Sequence, residues 1–117
     1  MSKFVKAAVW AALVTGFALP SADALGKTAT LSGRVSQWAP AAGKAGRTGL
    51  QDLGKKQWVK GEYNRYSSGG KKKTLWNKSG YRTKVYSGNG SRITKIHPCE
   101  EYDWKPDKCT AWVKVKG

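Results

Sequence analysis

His97, Cys99, Glu100, Glu101, Asp103, Asp107 and Cys109 crowd into one short stretch of the chain, and their types invite a search for chemistry. A tetrahedral zinc site needs four nitrogen or sulfur ligands, but His97 is the only histidine, and two cysteines do not complete the set. Nucleophilic catalysis would need a free cysteine beside a base or a Gly-x-Ser-x-Gly elbow, and the elbow is absent. Acid–base carboxylates face each other across a cleft with one partner's pKa raised, whereas these four share a single loop. Their spacing also departs from an EF-hand calcium loop. The expectation is therefore a protein with no catalytic, cofactor-binding or metal-binding residues. The two cysteines are read as a disulfide, which closes a loop of eleven residues and stabilises the fold by about 2.5–3 kcal/mol in the chain-entropy view.

That pairing requires an oxidising compartment, and the first residues supply the reason to expect one. Lys3 and Lys6 precede an apolar run over residues 7–19. Pro20 then breaks the run, and Ala22-Asp23-Ala24 has the small-x-small pattern of a cleavage site. Thirteen helical residues reach only about 20 Å, short of the roughly 30 Å bilayer core, so residues 1–24 read as a signal peptide and not as a membrane anchor. The protein is expected to be secreted to the extracellular space, with no membrane span after cleavage. Of 117 residues, 22 are basic and 7 acidic, a net charge of +15; losing Lys3, Lys6 and Asp23 leaves 20 against 6, or +14. Such a charge attracts anionic partners, and so small a domain benefits from a covalent staple.

The elements that must position the cysteine-bounded loop are strands. Residues 27–38 place Ala29, Leu31 and Val35 on one parity and Thr30, Ser32 and Arg34 on the other, the pattern of a half-buried strand. Residues 39–56 are rich in glycine and alanine and read as a linker, with at most a short helix around Leu50 and Leu53. The domain proper is then residues 57–117, a series of short strands over 58–66, 73–78, 81–86, 91–97 and 109–116. Ser87-Gly88-Asn89-Gly90 turns one hairpin, and Pro98 ends a strand. The expected fold class is all-β, a small antiparallel β-sandwich or partly open barrel with one disulfide, preceded by a signal-peptide helix and a tethered N-terminal strand.

Binding is left as the function. The loop holding Glu100, Glu101, Asp103 and Asp107 also carries Tyr102 and Trp104; its bland reading is a solvated surface loop, and its sharper one is a recognition tip pre-organised by the bridge. Lysines and arginines interleaved with Trp58, Tyr63, Trp76, Tyr81 and Trp112 would suggest single-stranded nucleic acid in a cytosolic protein. In an exported one they point to anionic cell-surface polymers or to guarded strand edges, and no dedicated nucleic-acid site is expected. The segment at residues 25–38 either packs on its own sheet or adds to the edge of another protein. In the second case Ala29, Leu31, Val35 and Trp38 join Tyr102, Asp103 and Trp104 as partner-binding residues.

Tyr63-Asn64-Arg65-Tyr66 followed by Ser67-Ser68-Gly69-Gly70-Lys71, with Ala111-Trp112-Val113-Lys114-Val115 near the C-terminus, resembles the lactococcin 972 family of small secreted bacteriocins. The resemblance runs over residues 58–115 and extends to small secreted adaptor subunits of the umbrella-type antibacterial toxin particles. It implies a signal peptide, a β-sandwich and a non-enzymatic role beside secreted protein partners, including larger toxin subunits. The Cys99/Cys109 pair, its acidic loop and the extra N-terminal segment depart from the family and favour the adaptor role over direct bacteriocin activity. A free cationic antimicrobial or envelope-binding protein is the alternative.

Overall fold

Alternation of apolar and polar side chains drives the N-terminal segment into β structure, but Gly33 divides it. In the computed structural model, which describes residues 26–115, Gly33 takes φ 70° and the Arg34 amide donates to the Leu31 carbonyl at 2.9 Å. The single strand expected over 27–38 is therefore a hairpin of β1 (Lys27–Leu31) and β2 (Val35–Ala39). Leu31 pairs with Val35, so Ala29, Leu31 and Val35 still share one face. The signal peptide expected over residues 1–24 lies outside the described residues.

The stretch 39–56 is not a linker. It contains β3 (Gly49–Asp52), which pairs with β2 on one side and β6 (Lys84–Tyr86) on the other. The glycines that suggest flexibility do a packing job. The Trp38 indole lies so close over Gly49 that an added Cβ would sit 2.4 Å from ring carbons. Leu50 is fully buried, while Leu53 follows the strand without forming a helix.

The remaining strands are β4 (Val59–Arg65), β5 (Lys73–Asn77), β7 (Ile93–Glu100), β8 (Lys108–Cys109) and β9 (Val113–Lys114), with a 3-10 turn at Tyr66–Ser68. They form two antiparallel sheets, one in the order β1-β2-β3-β6 and the other β9-β7-β4-β5, with β8 also paired to β7. The fold is all-β with one disulfide, as the residue pattern indicates. The strand expected at 81–86 shortens because Arg82, at φ 69°, turns the chain before Lys84.

Pro98 does not end β7, and the long strand expected over 109–116 is interrupted. Both facts have one cause. Cys99 pairs with Cys109 and Ile96 with Val113, so Pro98 and His97 face three residues, Thr110, Ala111 and Trp112. The extra residue is a bulge. The Pro98 carbonyl accepts from the Thr110 amide at 3.1 Å, which puts the missing Pro98 N–H on the same side, where the ladder is already broken.

Between the sheets lie two small apolar clusters. One gathers Ala29, Ala39, Tyr63, Ile93, Ile96 and Val115, and the other Val35, Leu50 and Val59. Inward-facing Gln37 stands between them, fully buried. Its Nε2 donates to Thr48 Oγ1 at 3.2 Å, and its Oε1 accepts the His97 amide at 3.0 Å from the opposite sheet. Gly61 makes room for it, since a Cβ there would lie 2.7 Å from Gln37 Cδ. Gln37→Ala, which strands the His97 amide, is expected to cost about 2–3 kcal/mol in urea unfolding. Gly61→Ala should also destabilise, and combining the two should cost less than the sum, because the shortened side chain vacates the space the new methyl needs.

Candidate interaction site at the stapled end

The loop after β7 is fixed at its base by bonds of three kinds. Cys99 and Cys109 are direct register partners joined by a disulfide, with Cα atoms 4.0 Å apart. The Glu101 amide donates to the Trp58 carbonyl at 3.0 Å, and Lys60 Nζ meets Asp107 at 2.6 Å. His97 and both sulfurs lie within 4.8 Å of one another, but the sulfurs bond to each other and offer no thiolate.

Electrostatics fix the loop's first turn. Glu100 is 4 % exposed, a buried carboxylate that needs partners. Arg34 Nη1, from the β1–β2 turn, reaches its Oε1 at 2.5 Å and the Tyr102 hydroxyl at 2.6 Å, and that hydroxyl in turn donates to Glu100. The hydrogen bond to Glu100, then its charge, raises the Arg34 pKa; the same carboxylate's hydrogen bond, then burial, raises that of Tyr102. Asp52, at the end of β3, is also buried. Burial, reinforced by the Glu100 charge, lifts its pKa above the ordinary carboxylate value, while a hydrogen bond from the Gly54 amide at 2.9 Å opposes the shift.

With Tyr102 tied down, the loop tip projects. Trp104 is 74 % exposed, its ring 6.2 Å from that of Tyr102, and Lys105 Nζ lies 4.4 and 4.6 Å from the two ring centres. Beneath run two shallow grooves. One of about 460 Å³ is bordered by Gly33, Arg34, Lys55, Glu100 and Tyr102, and one of about 270 Å³ by Lys56, Gln57, Trp58, Glu101 and Asp103.

Tyr102, Asp103 and Trp104 thus come together as one surface. The N-terminal candidates do not join them. Ala29 and Val35 are buried in the protein's own core, Leu31 packs against the Val35 cluster, and Trp38 covers Gly49 with its ring edge-on to Tyr86 at 6.1 Å. This corrects the expectation of an insertable strand. β1 is an edge strand of its own sheet, because its alternate residues find apolar cover within the chain. Reading the sequence missed Arg34, Asp52, Gln57 and Trp58 as members of the site, since they reach the loop only through the pairing of distant segments. The one available signal was Arg34's place beside a turn-forming glycine.

No family model, curated protein or solved structure matches this chain.

Two outcomes test this account. Ionised Asp52 weakens the fold, because the folded state holds its proton more tightly than the unfolded chain does. Its contribution improves as pH falls through the raised value toward the ordinary 3.8. Asp52→Asn, which can still accept from Gly54, should therefore exceed the wild type in stability at pH 7, with the gap closing in acid denaturation series. Arg34→Met should speed chymotrypsin cleavage after Tyr102 or Trp104 about fivefold under native conditions, by releasing the loop's anchor.

Proposed function

We propose that this chain is a secreted, non-enzymatic interaction protein, a bacteriocin-like component or adaptor of an extracellular antibacterial toxin complex. In this reading it grips a larger partner protein with the stapled loop and the grooves beside it. The observation that carries the reading is a rigidly based loop that leaves Trp104 almost free. A large aromatic side chain held out on a fixed base loses little entropy on binding and makes an effective anchor. The carboxylates beside it, Glu101 and Asp103, would select a partner surface bearing cations, in contrast to the charge of the rest of the protein.

The N-terminal hairpin takes a smaller part than a free strand would. Leu31 and Val35 serve the core, so a contact through β1 would be made along its outer edge by main-chain pairing, next to the exposed Lys27, Thr28 and Thr30.

Affinity purification from culture medium tests the reading. A stoichiometric protein partner should co-purify, and Trp104→Ala should weaken the complex at least about tenfold without moving the denaturation midpoint. Recovery as a lone monomer under conditions in which the toxin subunits are present would overturn it.

A further inference from the structure

The asparagines of this chain are held in different ways. Asn77 is fully buried, its Nδ2 donating to the Thr83 carbonyl at 2.8 Å and its Oδ1 accepting from the Ser79 amide at 3.0 Å. Asn64 is also buried, and its Nδ2 donates to the Gly70 carbonyl at 3.0 Å. Asn89 is exposed, makes no hydrogen bond among the described residues, and precedes a glycine where the other two precede Arg65 and Lys78.

Asn89 and Gly90 form the apex of the β6–β7 connection, which is pinned on both sides. The Ser87 amide donates to the Thr48 carbonyl at 3.0 Å, and the Ile93 amide to the Ala45 carbonyl at 2.9 Å. Arg65 donates to the carbonyls of Gly46, Ser91 and Gly88 at 2.6, 2.8 and 2.9 Å, so one arginine clamps the apex to the β2–β3 loop. Gly46 lies so close to Gly90 that an added Cβ would fall 1.9 Å from its carbonyl oxygen. Between these pins the Gly90 amide donates to no acceptor among the described residues, and glycine has no Cβ to shield that nitrogen from the side chain before it.

We propose that Asn89-Gly90 is a self-modifying site, whose conversion to isoaspartate in the folded protein unseats the Arg65 clamp. The Gly90 amide nitrogen gives its proton to base and attacks Asn89 Cγ. A Cγ–N bond forms, the Cγ–Nδ2 bond breaks, and ammonia leaves a cyclic imide. Water then opens the ring. Attack at Cγ gives aspartate on a normal main chain, and attack at the Asn89 main-chain carbonyl carbon gives isoaspartate, in which the chain runs through Cβ and is one carbon longer. That extra length has nowhere to go, because Gly88 and Ser91 are gripped on either side and Gly90 already touches Gly46. The inference stands independently of the partner proposed for the stapled loop.

Ageing the purified, folded protein at mildly alkaline pH tests the chemistry, with isoaspartate read by protein isoaspartyl methyltransferase labelling and peptide mass spectrometry. Label should appear at residue 89, form faster as pH rises, and vanish in Asn89→Gln. Gly90→Ala is not the control to use, since its Cβ would meet Arg65 Nη1 at 2.7 Å and disturb the clamp directly. Cation exchange then isolates the isoaspartyl form, whose Ile93 amide should exchange with deuterium at least about fivefold faster than in the unmodified protein. Asn89→Asp carries the same charge on a main chain of normal length and should stay within about twofold of wild type. Label that forms in urea but not in the folded protein, label at Asn64 or Asn77 at an equal rate, or equal Ile93 exchange in the isoaspartyl form and Asn89→Asp would each overturn the proposal.

Discussion

A polar crossbeam holds the sandwich in register. Neither apolar cluster is large, and a core of that size leaves two sheets free to slide unless something specific joins them. Gln37 does so by reaching from the first sheet to the His97 amide of the second, with Thr48 completing its bonds and passing a further one, at 2.7 Å, to the Trp38 carbonyl. A buried amide is costly when its partners are absent and specific when they are present. Because Gly61 alone leaves room for it, the crossbeam aligns Val35 with the Val59 cluster on one side and Ala39 with the Tyr63 cluster on the other. The sheet contact is thereby limited to one relative position.

The same position sets the outer face of the second sheet. His97 turns its side chain outward, stacks on the Trp112 ring at 4.4 Å, and approaches Glu62 at 3.4 Å. Burial lowers its pKa, with the Glu62 charge opposing the shift. Lys60 and Lys72 also converge on Glu62, so the one carboxylate in the middle of that face is ringed by positive groups. The Trp112 contact depends on the bulge opposite Pro98, which ties an imino acid in a strand to the placement of an indole on the surface.

Much of this was legible in the residues, and what was not has a common cause. Parity places Ala29, Leu31 and Val35 on one face, and the turn residues after them mark strands expected over 58–66 and 73–78 and found at Val59–Arg65 and Lys73–Asn77, because those signals are local. Gly49 was illegible because its reason is the Trp38 ring, eleven residues away along the chain and adjacent in the sheet. Pro98 misled because proline stops a strand only where its missing donor is needed, and the bulge that removes the need lies in another segment. At the candidate site, Tyr102, Asp103 and Trp104 announce themselves by type. Arg34 and Asp52 do not, since a cation and an acid in polar stretches look solvated until the sheet brings both to Glu100.

The opposed cysteines carry one more implication. Because Cys99 and Cys109 are neighbours across a ladder, with Cα atoms 4.0 Å apart, the intervening chain leaves and re-enters the sheet at nearly the same point. Its ends are defined without reference to its contents. Residues 103–106 could change in length or composition while the strands beneath kept their pairing, much as a cartridge is exchanged in a fixed holder. Substitutions there can therefore accumulate at little risk to folding, and an engineer could graft a foreign peptide at the same place.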